Sequence, residues 1–192
     1  MEKDKLNAKC KLLIIGGSAG SLEVLIAVLP KLNIPSFAIV LVLHRRSGED
    51  GMLEELIAIK TKIPVKELED KVPLLPGNIY IAPADYHVLF EKDGLLSLDT
   101  SEKIHFSRPS IDVSFESAAD VYGKEVTAVL LSGANADGTN GIKAIQESGG
   151  VTVIQKPESA EVPYMPEHAL KEISPDYILD AQELVLYINS IA

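Results

Sequence analysis

Apolar positions along this chain fall into two patterns. Leu12-Leu13-Ile14-Ile15, Phe37 to Leu43, residues 78–82, Val126 to Leu131 and Val151 to Ile154 are short, nearly continuous aliphatic or β-branched runs, as expected of strands buried on both faces. Between them, apolar residues recur at helical spacing and predict helices near 20–32, 50–59, 112–121, 139–148 and 181–190. The alternation predicts an α/β fold: a mostly parallel, doubly wound sheet flanked by helices, a Rossmann-like three-layer sandwich. Tyr86 to Leu98, centred on Lys92-Asp93-Gly94, interrupts the pattern as a β-hairpin insertion. Pro157, Pro163 and Met165-Pro166 mark a proline-rich loop after the strand at 151–154. No internal repeat, low-complexity tract or linker divides the sequence, so one domain over residues 1–192 is expected.

The strand ends carry the candidate chemistry. Gly16-Gly17-Ser18-Ala19-Gly20-Ser21 follows the first strand directly, and glycines without Cβ allow a sharp turn that leaves Ser18 exposed at the head of the next helix. Such a turn can cradle a phosphate on the helix N-terminus, or it can present a nucleophile beside amides that hold an oxyanion. The glycines do not fit G-x-G-x-x-G, no G-x-x-x-x-G-K-[ST] occurs, and the second strand ends in His44 where a dinucleotide fold would place an acidic residue.

The fourth strand, Val126 to Leu131, runs into Ser132-Gly133-Ala134-Asn135-Ala136-Asp137-Gly138, with a helix expected from Thr139 and Asp137 in the loop. In an open parallel sheet Ser18, His44 and Asp137 project from the same carboxyl edge, and they are the three types that a hydrolytic triad needs. Each has a plainer role: helix cap for Ser18, surface residue for His44, turn stabiliser for Asp137. In the catalytic reading His44 accepts the proton of Ser18, Asp137 orients His44, and amides of the Ser18 turn, joined by donors from Gly133 to Gly138, bind the oxyanion. The order Ser, His, Asp differs from the Ser, Asp, His order of the α/β-hydrolases and sets the chain apart from that superfamily, although Gly16-Gly17-Ser18-Ala19-Gly20 itself has the G-x-S-x-G spacing.

Charge and cysteine usage narrow the partners. A net charge of −10 argues against nucleic acid. The single Cys10 cannot form an internal disulfide, and no Cys/His spacing suits zinc, so neither metal nor cofactor is expected. Apolar runs are too short to span a bilayer and Met1 to Asn7 lacks a signal-peptide core, so a cytoplasmic chain without membrane insertion is expected.

The chain resembles the catalytic domain of the CheB-type protein-glutamate methylesterases of bacterial chemotaxis. The matching segments are Leu13 to Gly20, the strand ending in His44, Tyr80-Ile81-Ala82-Pro83-Ala84-Asp85-Tyr86-His87, Arg108-Pro109-Ser110-Ile111-Asp112-Val113-Ser114-Phe115, Ser132 to Gly141, and Met165-Pro166. The resemblance implies hydrolysis of glutamyl methyl esters on the cytoplasmic helices of methylated chemoreceptors, giving glutamate and methanol, and in some members deamidation of receptor glutamines. It implies Ser18 as nucleophile, His44 as base and Asp137 as orienting partner. A catalytically silent receptor-binding module of the same fold is the alternative.

Ala19, Ser21, Arg45 and Ala134 depart from the family's usual Thr, Gly, Met and Met, which alters the walls around the site. Members commonly carry an N-terminal phosphorylatable receiver, for which the segment before Leu12 has no room; the regulator stays unidentified, for a natural full-length chain as for an excised one. Arg45-Arg46 is either a solvated loop or a contact for an acidic receptor helix. His87 and His105 either line the cleft or make structural hydrogen bonds, and Met165-Pro166 is expected as a cleft wall. Ser110 is expected to cap a helix from Ile111, with Asp112 in its first turn.

Overall fold

The computed structural model describes residues 10–45, 52–104 and 106–192. Among these, the strands are β1 (Leu12–Gly17), β2 (Ala38–Leu43), β3 (Val65–Glu67), β4 (Ile79–Ile81), β5 (His87–Phe90), β6 (Leu96–Asp99), β7 (Val126–Leu130), β8 (Val151–Gln155) and β9 (Tyr177–Leu179). The helices are α1 (Ser21–Val28), α2 (Met52–Ala58), α3 (Ile111–Tyr122), α4 (Thr139–Glu147), α5 (Tyr164–Glu172) and α6 (Ala181–Ile191). Seven strands form one sheet in the order β3-β4-β2-β1-β7-β8-β9, with every neighbouring pair parallel. β5 and β6 form the expected antiparallel hairpin outside it.

The two-residue period of the strands sorts their side chains between two cores. Leu12 and Ile14 face Ile111 and Phe115 of α3, Ile142 and Ile145 of α4, Met165 of α5, and the hairpin. Leu13 and Ile15 face Val24 and Leu25 of α1, Ile57 of α2, and Leu184 and Ile188 of α6. Each fully buried aliphatic side chain in these layers contributes about 1.5–3 kcal/mol, which is why the central strands read as unbroken apolar runs.

From β1 the chain moves outward through β2 towards β3, and then returns to the other side of β1 to lay down β7, β8 and β9. The loops after β1 and β7 therefore separate at a topological switch point, opening a crevice at the carboxyl edge of the sheet. Gly20 closes the β1 turn at φ 79°, a backbone that a side chain would strain, and α1 starts at the next residue.

Several elements differ from expectation. α1 ends at Val28 and continues as a 3₁₀ turn over Leu29–Lys31, because Pro30 offers no N–H to extend an α-helix. The expected proline-rich loop contains α5: Pro163 sits at its N-cap and Pro166 in its first turn, where amides have no helical acceptor to lose. β3 and β9 are three-residue edge strands that no run announces. Residues 50 and 51 of the expected second helix lie outside the described residues.

Candidate functional site

Ser18 and His44 leave neighbouring strands side by side. Gly17 pairs with Leu43 at the end of the β1–β2 register, and the His44 amide donates to Gly17 O at 3.1 Å. The turn that carries Ser18 is held from both ends. Its amide donates to Ser132 O at 2.9 Å, and its carbonyl accepts the Ser21 amide at 3.0 Å and the Ser21 hydroxyl at 2.6 Å. Ser21, one of the departures from the family pattern, thus pins the turn with its side chain. Ser18 is half-buried, and its Oγ makes no hydrogen bond to any described residue.

Asp137, fully buried in the loop after β7, sits on the N-terminus of α3. Its Oδ1 accepts the Ser110 hydroxyl at 2.9 Å and the amides of Asp112 and Gly138 at 3.0 and 3.1 Å. Its Oδ2 accepts the Ile111 amide at 2.7 Å and Nε2 of His44 at 2.7 Å. Unpaired first-turn amides and the positive end of the helix dipole are suited to holding a negative charge. Burial pushes the carboxyl pKa up, but the hydrogen bonds from His44 and from the Asp112 and Ile111 amides outweigh it and hold Asp137 below the usual carboxylate range. Gly138 follows at φ 93° and starts α4; a Cβ there would come within 2.5 Å of Leu130. Ser110 is the α3 cap as expected, accepting the Val113 amide at 3.4 Å. Asp112 does more than occupy the first turn, since its buried carboxylate accepts the Gly141 amide at 2.7 Å and ties α3 to α4.

The structure therefore joins two of the three expected residues directly. Because the Asp137 carboxylate can only accept, Nε2 of His44 carries the proton of their bond. The hydroxyl facing the other ring nitrogen is that of Ser107, 3.3 Å from Nδ1, and not that of Ser18. Ser107 carries no sequence signal, since it belongs to no strand end or glycine turn.

The expected oxyanion donors are partly corrected. The Ser18 amide is committed to Ser132 O, the Gly133 amide to Val162 O at 3.1 Å, the Asp137 amide to Asn135 Oδ1 at 3.2 Å and the Gly138 amide to Asp137 Oδ1. The amides of Ala19, Gly20, Ala134, Asn135 and Ala136 donate to no described residue and are the donors left in the two loops.

Of the remaining candidates, His87 is a structural residue: it is fully buried, its Nδ1 accepts the Ser110 amide at 3.1 Å and its Nε2 donates to Glu102 O at 3.0 Å. Arg45 is not a solvated loop residue. Its side chain is 6% exposed, and its guanidinium donates to Glu67 Oε2 at 2.6 Å and Ala82 O at 3.1 Å, joining the ends of β2, β3 and β4. Burial decides this, because β3 puts a carboxylate where the arginine emerges. His105 and Arg46 lie outside the described residues. Met165 is fully buried beneath Gly133 rather than lining an open wall.

A cleft of about 310 Å³ lies on α4 and α5, lined by Ala136, Thr139, Asn140, Lys143, His168 and Glu172, and includes none of the three candidate residues. Among the described residues no group of His, Cys, Asp and Glu forms a metal site, and no helix is long and apolar enough to cross a membrane.

A histidine and a buried carboxylate locked together at the switch point of a parallel sheet, beside a glycine-bounded serine, make this an α/β fold whose crevice holds the side-chain types of hydrolytic chemistry. Similarity to known proteins narrows that class. A family model described as CheB methylesterase matches residues 13–188. The chain is 40% identical over 173 residues to a Leptospira interrogans protein named "Putative protein-glutamate methylesterase/protein-glutamine glutaminase", with 90% of each chain covered. It is 36% identical over 180 residues to the Thermotoga maritima protein-glutamate methylesterase/protein-glutamine glutaminase, a match that takes in 91% of this chain and 52% of that protein. The crystal structure of the Thermotoga maritima CheB methylesterase catalytic domain superposes with a TM-score of 0.91 at 31% identity, covering 95% of this chain and 99% of that one. The chain belongs to the CheB methylesterase family, a family of hydrolases.

Proposed function

We propose that this chain hydrolyses glutamyl methyl esters on the cytoplasmic helices of chemoreceptors, releasing methanol and leaving glutamate, with Ser18 as nucleophile. The observation that carries the reading is the 2.7 Å bond between His44 Nε2 and Asp137 Oδ2, which leaves the Nδ1 lone pair of His44 as the base. Ser18 and His44 follow the ends of two adjacent, paired strands, which puts the hydroxyl and the imidazole on the same edge of the sheet. As Ser18 Oγ attacks the ester carbonyl, its proton passes to Nδ1 and the oxyanion is met by the free amides of the turn. Collapse expels the methoxy group, which leaves as methanol with that proton. Water then attacks the acyl-serine, giving its proton to His44, and Ser18 is restored as glutamate departs. The same cycle with an amide substrate releases ammonia from glutamine, in keeping with the double activity in the relatives' names.

Incubating the protein with methylated receptor and measuring methanol, beside Ser18→Ala, tests the reading. Release by the wild type and a loss of about a thousandfold or more in the variant are expected. Tight receptor binding without methanol would select the silent module instead.

A further inference from the structure

The nitrogen of His44 opposite Asp137 is already engaged. With the Asp137 carboxylate accepting at Nε2, Nδ1 bears a lone pair, so the Ser107 hydroxyl at 3.3 Å is the donor of that contact. We propose that Ser107 is a second positioning residue of the candidate base: it fixes the plane of the His44 ring from the Nδ1 side and surrenders the lone pair to Ser18 when substrate arrives. This rests on the reading that His44 takes the Ser18 proton.

The placement of Ser107 does not depend on His44. Ile104 and Ser107 exchange backbone hydrogen bonds in both directions, at 3.1 and 2.8 Å. Arg108 donates to Thr100 O and Ser101 O at 2.6 and 2.7 Å, His87 anchors Glu102 O, and Lys103 lies 3.6 Å from Asp85. A hydroxyl held by so braced a loop orients the ring at little entropic cost. A separation of 3.3 Å is also at the long end for a hydrogen bond, so it aims the lone pair without holding it tightly enough to block exchange for Ser18. A single carboxylate leaves the imidazole free to pivot about the Nε2 contact, and the second contact removes that freedom.

The test compares wild type, Ser107→Ala and Ser107→Thr by ¹⁵N resonance of the His44 ring and by steady-state methanol release. Ser107→Ala is expected to move the Nδ1 resonance downfield, towards that of an imine nitrogen without a donor, and to lower kcat by about 2- to 10-fold with KM unchanged. Ser107→Thr, which keeps the hydroxyl, is expected to restore both. An Nδ1 resonance unmoved in Ser107→Ala, or a kcat equal to wild type, overturns the proposal. Should the wild type release no methanol, the proposed function fails separately, while the resonance still decides whether Ser107 holds the ring.

Discussion

Asp137 Oδ2 accepts the Ile111 amide at 2.7 Å, the same length as its bond to His44 Nε2. One oxygen therefore ties the candidate base to the first turn of α3, and the position of His44 is set by where a helix begins rather than by its own loop. Asp137→Asn keeps the size but puts an NH2 group among five donors, leaving at least one buried donor without an acceptor. A stability loss of about 2–4 kcal/mol in denaturant unfolding and a fall in kcat of about a thousandfold or more are expected.

The depressed pKa of Asp137 also sets a pH signature. A carboxyl held below its unfolded value contributes stability that is fully present above the ordinary carboxylate range and is lost as pH falls through the folded value. The stability gap between wild type and Asp137→Asn should thus be constant near neutrality and narrow below about pH 4. Urea unfolding of both proteins across that range is the check, and a gap independent of pH would contradict it.

Arg45 lies next to His44 in sequence but points its charge at Glu67. Arg45→Ala removes the guanidinium from between Glu67 and Ala82 O and should cost about 1–3 kcal/mol. Arg45→Lys should recover only part of this, because an ammonium lacks the planar fork that reaches both acceptors. Thermal unfolding of the two variants measures the difference.

Gly138 adopts φ 93° with Leu130 and Ile111 against the space a Cβ would fill. Gly138→Ala combines backbone strain with a clash in the loop that carries Asp137, so it should lower stability by about 1–3 kcal/mol and reduce turnover together. Retained stability with wild-type turnover would show that the loop accommodates a side chain.

Much of this was legible in the sequence, for a physical reason. Strands such as Leu12–Gly17 and Val126–Leu130 are covered on both faces and must be apolar throughout, and residues at their carboxyl ends, His44 and Asp137 among them, stand where a parallel sheet opens its crevice. Ser110 announced the start of α3 because a cap is a local device. What stayed hidden depends on distant partners or on context. Pro163 and Pro166 read as loop residues, yet each falls where a helix start needs no amide. Arg45 is buried only because three-residue β3 delivers Glu67 to it. Ser107 reaches His44 through a loop folded back on itself at Ile104, and no pattern in residues 100–109 marks that fold.

The central claim is that Ser18 is the nucleophile served by the His44–Asp137 pair, and mapping a covalent adduct tests it most directly. After reaction with a small serine-directed phosphonylating reagent, peptide mass mapping should find the label on Ser18, with labelling slowed strongly in His44→Ala. A label on Ser107, the hydroxyl that faces His44 Nδ1 at 3.3 Å, or an unlabelled Ser18, would contradict the account.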